Sequence, residues 1–365
     1  MAGLYVHIPF CKKRCLYCDF FSTTCLERRD EYIEALLCEI KARKNEAKET
    51  IRTIYLGGGT PSTLEAKDIQ RLIQAIGAEQ AEEVTMELNP GDATPEYFKR
   101  LREAGINRLS IGVQSFQDNL LRLIGRRHNA AQAIAAVQMA QEAGFDNISI
   151  DLMYALPTQS LSLWMEDVEM ALHLGIQHIS SYGLMYEPGT PLTRQLEAGQ
   201  ITPIDEDTEN EMYDCLCNRL KENGFVHYEV SNFALPGFEA KHNSSYWNGT
   251  PYIGVGAGAH SYIGRVRSWN PADLDTYIQG IKNGSLQRES ETLTDKDLYN
   301  EQIMLGLRTN KGIDEAITNR YRSCIEPILD NTRRKMLIRT SEGRLVATQK
   351  GLHILNRIIE QLMIE

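Results

Sequence analysis

Three cysteines near the N-terminus have a spacing that suits an iron–sulfur cluster. Cys11, Cys15 and Cys18 form a Cys-x3-Cys-x2-Cys pattern directly after a short strand-like run. Cysteine thiolates bind such clusters, and a cubane has four irons, so three thiolates leave one iron open to a small molecule. Zinc usually takes four ligands in pairs such as Cys-x2-Cys, and no second pair lies nearby. The spacing therefore favours a [4Fe–4S] cluster, with a zinc site and chance clustering as the alternatives.

The composition places limits on where such a chain works and on what it binds. Of its 365 residues, 42% are hydrophobic and 24% charged, which is ordinary for a globular protein. No apolar run approaches the ~20 residues of a membrane span, and the first residues lack the basic region of a signal peptide. The net charge of −10 argues against broad binding to a phosphate backbone. We expect a cytoplasmic protein with no transmembrane segment.

Strand-like runs alternate with helical periodicity through the first half of the chain, and six βα units can be recognised. The strand-like runs are Leu4–Ile8, Thr53–Leu56, Val84–Leu88, Arg108–Val113, Asn147–Leu152 and His178–Leu184. The helix-like segments are 27–49, 66–76, 95–104, 119–124, 130–143 and 163–174. Repeated βα units predict a parallel sheet with right-handed crossovers. We predict an α/β fold with a partial (β/α)6 TIM-like barrel, whose site lies at the C-terminal strand ends.

Groups that can bind a polar ligand stand where the predicted strands end. The glycine-rich turn after the second strand allows backbone N–H groups to approach a ligand, although ordinary tight turns look the same. Carboxylates and amides follow the next strands and can accept or donate hydrogen bonds, an arginine suits a ligand carboxylate, and two tyrosines flank the cysteines. The candidates are Tyr5, Tyr17, Gly58, Gly59, Thr60, Glu87, Gln114, Arg126 and Asp151.

Together these motifs resemble the oxygen-independent coproporphyrinogen dehydrogenase (HemN) branch of the radical S-adenosylmethionine (SAM) superfamily. The matching segments are Tyr5–Cys11, Gly57–Pro61, Glu87, Gln114–Phe116, Gly125–His128 and Asp151–Gln159. The resemblance reaches at least Ser261 and implies that SAM chelates the fourth iron. It also implies a SAM contact set of Tyr5, Gly58, Gly59, Thr60, Glu87, Gln114, Arg126 and Asp151.

One position departs from the dehydrogenases of this branch. They carry a further cysteine where this chain has Phe20, and Cys18-Asp19-Phe20 resembles the HemW family of heme chaperones instead. That resemblance implies a protein that binds heme and passes it to acceptor hemoproteins, respiratory ones among them. We do not expect an active coproporphyrinogen dehydrogenase, which is nevertheless the alternative function that the shared barrel motifs support.

A second motif also resembles the heme chaperones. His242, Asn243, Tyr246 and Trp247 match their HNxxYW signature, which implies a heme-binding loop with His242 as the iron ligand. The aromatic rings could cover a flat macrocycle, and the small residues of Gly254–Ala259 permit close backbone approach. On physical grounds alone a lone histidine is more often a hydrogen-bonded structural residue, and that alternative stays open.

The chain divides into three predicted regions: a radical SAM core at 1–230, a connecting region with the heme motif at 231–290, and a C-terminal helical domain at 291–365. In the last region, helix-like runs at 297–307, 313–320, 325–335 and 351–363 surround a hairpin at 337–346, which is a winged-helix-like layout. Its nearly balanced charge favours a lid or a partner-docking role over nucleic-acid binding. A homodimer is left open.

One further cysteine pair lies on a predicted acidic helix from Asp205 to about Asn223. Cys215 and Cys217 are two residues apart, and residues at this separation do not face each other on a helix. We predict that they pack against neighbours rather than bind a metal together.

Overall fold

The main sheet has twelve strands in the order β12-β11-β10-β9-β1-β2-β3-β4-β5-β6-β8-β7. The structure is a computed structural model that describes residues 1–77 and 79–364. The strands are β1 (Ala2–Ile8), β2 (Ile51–Gly58), β3 (Glu83–Leu88), β4 (Arg108–Gln114), β5 (Ile148–Tyr154), β6 (His178–Gly183), β7 (Val226–Glu229), β8 (Asn232–Ala234), β9 (Tyr252–Val255), β10 (His260–Ile263), β11 (Val266–Trp269), β12 (Glu289–Thr292), β13 (Ile313–Asp314), β14 (Ile338–Ser341) and β15 (Arg344–Ala347).

Helices follow each of the first six strands, as right-handed parallel crossovers require. The helices are α1 (Arg29–Arg43), α2 (Ala66–Ile76), α3 (Pro95–Glu103), α4 (Asp118–Leu123), α5 (Ala130–Glu142), α6 (Leu161–His173), α7 (Pro191–Glu197), α8 (Glu206–Glu222), α9 (Lys241–Asn248), α10 (Leu274–Lys282), α11 (Asp295–Gly306), α12 (Glu315–Thr318), α13 (Arg322–Arg334), α14 (Gln349–Leu352) and α15 (Leu355–Leu362). Strands β1 to β6 are parallel neighbours, which confirms the predicted α/β fold.

Local signals account for several of these boundaries. Asn129 and Gln132 form a capping box at the start of α5, and Gly77 ends α2 in the left-handed conformation that favours glycine. The first helix, predicted to reach residue 49, ends at Arg43. The helix predicted at 313–320 begins two residues later, at Glu315, because Ile313–Asp314 form β13, which pairs with β15.

The two faces of the parallel strands differ in polarity. Leu4, Val6 and Ile8 are fully buried on the outer face of β1, whereas Tyr5 and His7 alternate with them on the inner face. The same alternation of apolar and polar residues continues on β2 to β6. Parallel strands are usually apolar on both faces, so this barrel has an unusually polar interior.

The region after the first six units extends the same sheet. β9 pairs in parallel with β1, and β10 to β12 continue antiparallel beyond it. The connecting region predicted at 231–290 therefore supplies strands to the edge of the main sheet.

The C-terminal region has a hydrophobic core of its own and a three-stranded sheet in the order β13-β15-β14. Its core includes Ile303, Leu329, Leu345 and Ile358. Backbone hydrogen bonds join it to the barrel domain, as when the Val230 N–H donates to the Arg308 carbonyl at 2.8 Å. Among the described residues, no helix is both long and apolar enough to cross a membrane.

Candidate functional site

The cysteine loop leaves the C-terminal end of β1 and closes on itself. The Cys11 N–H donates to the Thr23 carbonyl at 2.8 Å, and the Thr23 N–H donates to the Pro9 carbonyl at 2.7 Å. These bonds bring the ends of the loop together beside the barrel. Cys11, Cys15 and Cys18 all carry free thiols, as cluster binding requires.

Each of the first two cysteines contacts a residue predicted to bind SAM. The Cys11 Sγ lies 3.4 Å from the Thr60 Oγ1, and the Arg126 Nη1 donates to the Cys15 Sγ at 3.3 Å. Burial raises the pKa of the Cys11 thiol and that of Cys18 to about 11. These thiols are therefore protonated at neutral pH, and binding of iron must release protons.

The donor set fits a cluster better than a single ion. Within residues 1–77 and 79–364, no three His, Cys, Asp or Glu side chains converge as ligands of one metal ion. A cubane differs because each thiolate binds a different iron. Three free thiols on one loop, with an arginine donor beside the second, match that need and oppose the zinc alternative.

The glycine-rich turn after β2 packs directly against the chain that leads into the cysteine loop. A Cβ at Gly59 would lie 2.7 Å from the Pro9 carbonyl carbon, and one at Gly58 would lie 2.7 Å from the His7 ring. Gly58 also has a φ of +114°, which side chains disfavour. These two glycines thus allow the contact between Thr60 and Cys11.

Two carboxylates lie on the inner face near the same end of the barrel. Glu87 accepts hydrogen bonds from the Tyr55 hydroxyl at 2.9 Å and the Gly58 N–H at 3.2 Å, and Asp151 accepts one from the Ser110 hydroxyl at 3.1 Å. Burial, reinforced by the Asp151 charge, raises the pKa of Glu87 to about 7. Burial raises the pKa of Asp151 to about 6. Both can accept hydrogen bonds from hydroxyl or amine donors of a ligand.

Arg126 is placed to bind a ligand carboxylate. Its guanidinium also donates to the Gly112 carbonyl, and its buried Nε has no partner among the described residues. Unpaired buried donors are costly, so this nitrogen is suited to an acceptor supplied by a ligand. Charge interactions with Tyr17 and Cys15 outweigh burial and raise the pKa of Arg126, which keeps it charged.

A strained turn positions Gln114 at the end of β4. Gln114 has a φ of +70°, and the pairing of β4 with β5 shifts between Gly112 and Gln114. The buried Asp167 holds the next residues, since it accepts hydrogen bonds from the Ser115 hydroxyl at 2.6 Å and the Phe116 N–H at 2.8 Å. Non-glycine residues in this conformation persist only when their surroundings hold them.

Asp92 joins three of the loops around this end of the barrel. It accepts hydrogen bonds from Lys12 at 2.7 Å, from the Ser62 hydroxyl at 3.0 Å and from Arg127 at 3.0 Å. These partners belong to the cysteine loop, the turn after β2 and the segment after α4. One buried carboxylate therefore fixes the loops that carry the predicted cofactor contacts.

The two tyrosines occupy different places. Tyr5 lies inside the barrel, where its hydroxyl and the His7 Nδ1 are 3.0 Å apart and its ring stacks on Tyr55. Tyr17 lies in the cysteine loop and packs beside a cluster that includes Leu184 and Leu192. All nine residues predicted to contact SAM are thus near the cysteines or on the inner face of β1 to β5 and the turns that follow.

The predicted heme motif lies at the opposite end of the barrel and is a helix, α9, rather than a loop. Glu83, the first residue of β3, accepts hydrogen bonds from the N–H groups of Lys241 and His242, each at 2.8 Å. A carboxylate at this position satisfies two of the unpaired donors at a helix N-terminus. The sequence alone does not reveal this helix, since its cap comes from a residue far away in the chain.

His242 lies inside the barrel at the N-terminal ends of the strands, which we call the floor of the barrel. It is fully buried, with its Nδ1 2.9 Å from the Thr53 hydroxyl and its Nε2 2.9 Å from the Tyr246 hydroxyl. Burial, followed by the nearby Arg108 charge, lowers its pKa to about 3. Both ring nitrogens already have partners, so iron binding would require one hydrogen bond to break. Asn243 and Trp247, also predicted to contact heme, are partly exposed.

The small residues after this helix approach another part of the protein and not a ligand. The Gly256 N–H donates to the buried Glu39 of α1 at 2.8 Å, and the Ala257 N–H donates to the Tyr32 hydroxyl at 3.0 Å. A Cβ at Gly256 would lie 2.6 Å from that hydroxyl. The close backbone approach that these small residues permit is therefore made to α1.

Several polar residues of the barrel interior were not predicted from the sequence. Arg108 is buried and, among the described residues, has no ion pair within 4 Å. His178 is fully buried, and its ring nitrogens lie 2.7 Å from the Ser149 hydroxyl and 2.8 Å from the Tyr228 hydroxyl. The signal that could have found them is the polar residue at every second position of consecutive parallel strands.

Comparison with known proteins gives two kinds of match. A family model described as the radical SAM superfamily matches residues 5–171. The chain is 38% identical to a heme chaperone HemW of Lactococcus lactis, with 99% of this chain and 97% of the relative covered. It is 36% identical to a heme chaperone HemW of Bacillus subtilis, with 98% of each covered.

A solved structure is similar over nearly the whole length. The coproporphyrinogen III oxidase (HemN) of Escherichia coli, a radical SAM enzyme, matches with a TM-score of 0.84 and 25% identity. The match covers 99% of this chain and 89% of that one. The likeness therefore includes the C-terminal region as well as the barrel.

Proposed function

The chain belongs to the HemW family of radical SAM proteins, and we propose on that basis that it binds heme and transfers it to acceptor hemoproteins. Its resident cofactors are a [4Fe–4S] cluster and SAM. When bound, these groups supply one-electron redox chemistry, whereas the protein supplies binding, orientation and charge.

The observation that carries this proposal is Phe20, two residues after the last cysteine of the motif. The chain around it is similar to heme chaperones over its full length. Phe20 occupies the position at which the coproporphyrinogen dehydrogenases of the HemN branch carry a further cysteine. Its side chain is 67% exposed beside the cluster loop. An exposed phenyl ring cannot replace a thiol in redox or acid–base chemistry. It can pack on a flat apolar ligand or a partner protein.

The residues around the cysteines have separate roles in this proposal. Cys11, Cys15 and Cys18 hold the cluster. Arg126 binds the SAM carboxylate through its free Nε, Glu87 and Asp151 accept hydrogen bonds from the amine and ribose, and the Gly58–Thr60 turn brings backbone donors close. The remaining contacts in the proposed set are Tyr5, Tyr17 and Gln114.

The motif His242, Asn243, Tyr246 and Trp247 is the heme contact that the family resemblance proposes. Iron ligation by His242 would require one of its two hydrogen bonds to break and the fully buried ring to become accessible. Trp247 offers an apolar surface to a macrocycle without either change.

The direct test is a titration of hemin into the full-length protein, with and without reconstituted cluster, followed by the Soret absorbance. We expect a saturable shift with one heme bound per chain. If the absorbance stays that of free hemin, the proposed function is wrong.

A second candidate function is the oxygen-independent decarboxylation of coproporphyrinogen III. The whole-length likeness to the E. coli HemN structure supports it, and Phe20 opposes it. An anaerobic assay of the reduced, reconstituted protein for protoporphyrinogen separates the two functions. Sustained turnover would favour the enzyme, and its absence beside tight hemin binding would favour the chaperone.

A further inference from the structure

Asp92, at the end of the short turn after β3, binds two cations with one carboxylate. Its side chain is 2% exposed, and its Oδ1 accepts from the Lys12 ammonium at 2.7 Å. The Arg127 guanidinium donates to both oxygens, at 3.1 Å to Oδ1 and 3.0 Å to Oδ2, and the Ser62 hydroxyl donates to Oδ2 at 3.0 Å. Among the described residues, neither Lys12 nor Arg127 has a second ion pair within 4 Å. Both cations therefore depend on this carboxylate to balance their charge.

One side of this contact lies beside the first cysteine. Lys12 directly follows Cys11 in the cysteine loop, and the Cys11 Sγ lies 3.4 Å from the Thr60 Oγ1. Ser62 is buried and comes two residues after Thr60. Hydrogen bonds to an ionised group are stronger than those between neutral groups. Asp92 therefore limits how far the segments that carry Cys11 and Thr60 can separate.

The other side lies beside the second cysteine and the arginine proposed to bind the SAM carboxylate. Arg127 directly follows Arg126. The Arg126 Nη1 donates to the Cys15 Sγ at 3.3 Å, and its buried Nε has no partner among the described residues. A shift of the chain at Arg127 would move both of these nitrogens. In the part of the chain that the structure describes, Asp92 itself forms no hydrogen bond with a cysteine or with a residue of the proposed SAM contact set, so it acts through its neighbours.

The charge of Asp92 also bears on the cluster. The cysteine loop carries three cations in succession, Lys12, Lys13 and Arg14, and Arg127 adds a fourth at the contact with Asp92. The reduction potential of an iron–sulfur cluster depends on the net charge around it. Positive charge favours the reduced form, because that form carries one more electron. By offsetting Lys12 and Arg127, Asp92 therefore lowers the potential of the cluster.

We propose that Asp92 is a positioning residue that couples the [4Fe–4S] cluster to SAM. It holds Lys12 and Arg127 on one carboxylate, and thereby keeps the cysteine loop in register with the Arg126 guanidinium. SAM bound at Arg126 then stabilises the cluster, and the cluster strengthens SAM binding to the same extent, because coupling between two sites is reciprocal. The proposal rests on the proposed roles of the three cysteines and Arg126, and it does not involve heme.

The test compares the full-length wild type with Asp92→Asn after reconstitution of the cluster. Asparagine has the same size and can still accept from Ser62, but it loses the charge that binds both cations. Equilibrium dialysis should show SAM binding weakened by at least about fivefold, with an unchanged iron content. SAM should slow the loss of iron to a chelator in the wild type, and to a smaller extent in the variant.

Asp146→Asn is the matched control. Asp146 is exposed and lies just before β5, at the opposite end of the barrel. Its replacement removes the same charge without touching the loops around the cysteines. The control should therefore bind SAM and retain iron as the wild type does.

A second variant separates positioning and charge from general damage to the fold. Arg127→Gln breaks the same contact from the other side but removes a positive charge. Both variants should weaken SAM binding, whereas the reduction potential of the cluster should rise in Asp92→Asn and fall in Arg127→Gln. An anaerobic redox titration followed by electron paramagnetic resonance measures the potential, and circular dichroism reports whether each variant is folded. If Asp92→Asn loses its cluster, Arg127→Gln tests both expectations by itself.

The coupling and the proposed function fail in different ways. Folded, cluster-loaded variants that bind SAM as tightly as the wild type would overturn the positioning role of Asp92. Potentials that shift in the same direction in both variants would overturn its charge effect. Neither result would change heme binding, which the hemin titration of the wild type decides. If the wild type itself binds no SAM, the proposed SAM contacts and the coupling are both overturned.

Discussion

The ring of His242 stacks on the ring of Tyr55 inside the barrel, with their centroids 5.3 Å apart. The Tyr55 hydroxyl then donates to Glu87, which also accepts from the Gly58 N–H. A continuous series of contacts therefore links the floor of the barrel to the residues proposed to hold SAM. This relationship gives the heme-motif histidine a structural role that does not depend on heme.

Replacing His242 by alanine should destabilise the apo-protein. The change removes a stacked ring and leaves the Thr53 and Tyr246 hydroxyls without their partner, which costs about 2–4 kcal/mol. Urea denaturation measures the free energy of unfolding. Asn243→Ala is the control, because Asn243 is partly exposed and its side chain has no hydrogen bond among the described residues. Equal stability of the two variants would contradict the structural role.

Replacing Glu83 by glutamine should loosen α9. The charge at the helix N-terminus is lost and one of two backbone N–H groups loses its acceptor, a cost of about 1–2 kcal/mol. Hydrogen exchange of the Lys241 and His242 amides should accelerate together with the loss of stability. Glu82→Gln provides the comparison, since Glu82 makes only exposed ion pairs with Arg52 and Lys241, and such pairs contribute little.

Replacing Glu87 by glutamine should change how stability depends on pH. The folded pKa of Glu87, about 7, lies above the unfolded value near 4.5, so the wild type loses stability as pH rises between these values. The loss is up to about 3 kcal/mol. Without SAM, the variant should gain stability relative to the wild type between pH 4.5 and 7.5. The exposed Glu142→Gln is the control, and parallel curves for wild type and Glu87→Gln would refute the burial argument.

Replacing Arg126 by glutamine should weaken SAM binding by about ten- to a hundredfold. The charged hydrogen bonds to the carboxylate, worth about 1.5–3 kcal/mol, are lost. Equilibrium dialysis of the reconstituted protein measures the affinity, and the iron content shows whether the cluster remains. Arg122→Gln, an exposed change on the preceding helix, should have no effect. Unchanged affinity in Arg126→Gln would remove this residue from the SAM site.

The six βα units could be predicted because their signals are local. Apolar runs, helical periodicity and residues such as Asn129 and Gly77 mark strands and helices within a short window. The polar strand ends then followed from the rule that parallel strands present their C-terminal ends at one edge. The positions of Glu87, Gln114 and Asp151 in the sequence were therefore enough to place them at this end of the barrel.

The parts that sequence could not reveal depend on distant partners. The helix α9 has little apolar periodicity, and its N-terminus is held by Glu83, more than 150 residues away. β9 is short and becomes a parallel strand only because β1 is beside it.

Direct delivery of heme by this protein is tested most closely by the kinetics of transfer. Heme-loaded protein is mixed with the apo form of a respiratory hemoprotein from the same organism, and in parallel with apomyoglobin as a passive scavenger. Direct delivery predicts a rate that rises with the concentration of the respiratory acceptor and exceeds the rate of loss to apomyoglobin. A rate that is the same for both acceptors and independent of their concentration would show passive release and contradict a chaperone function.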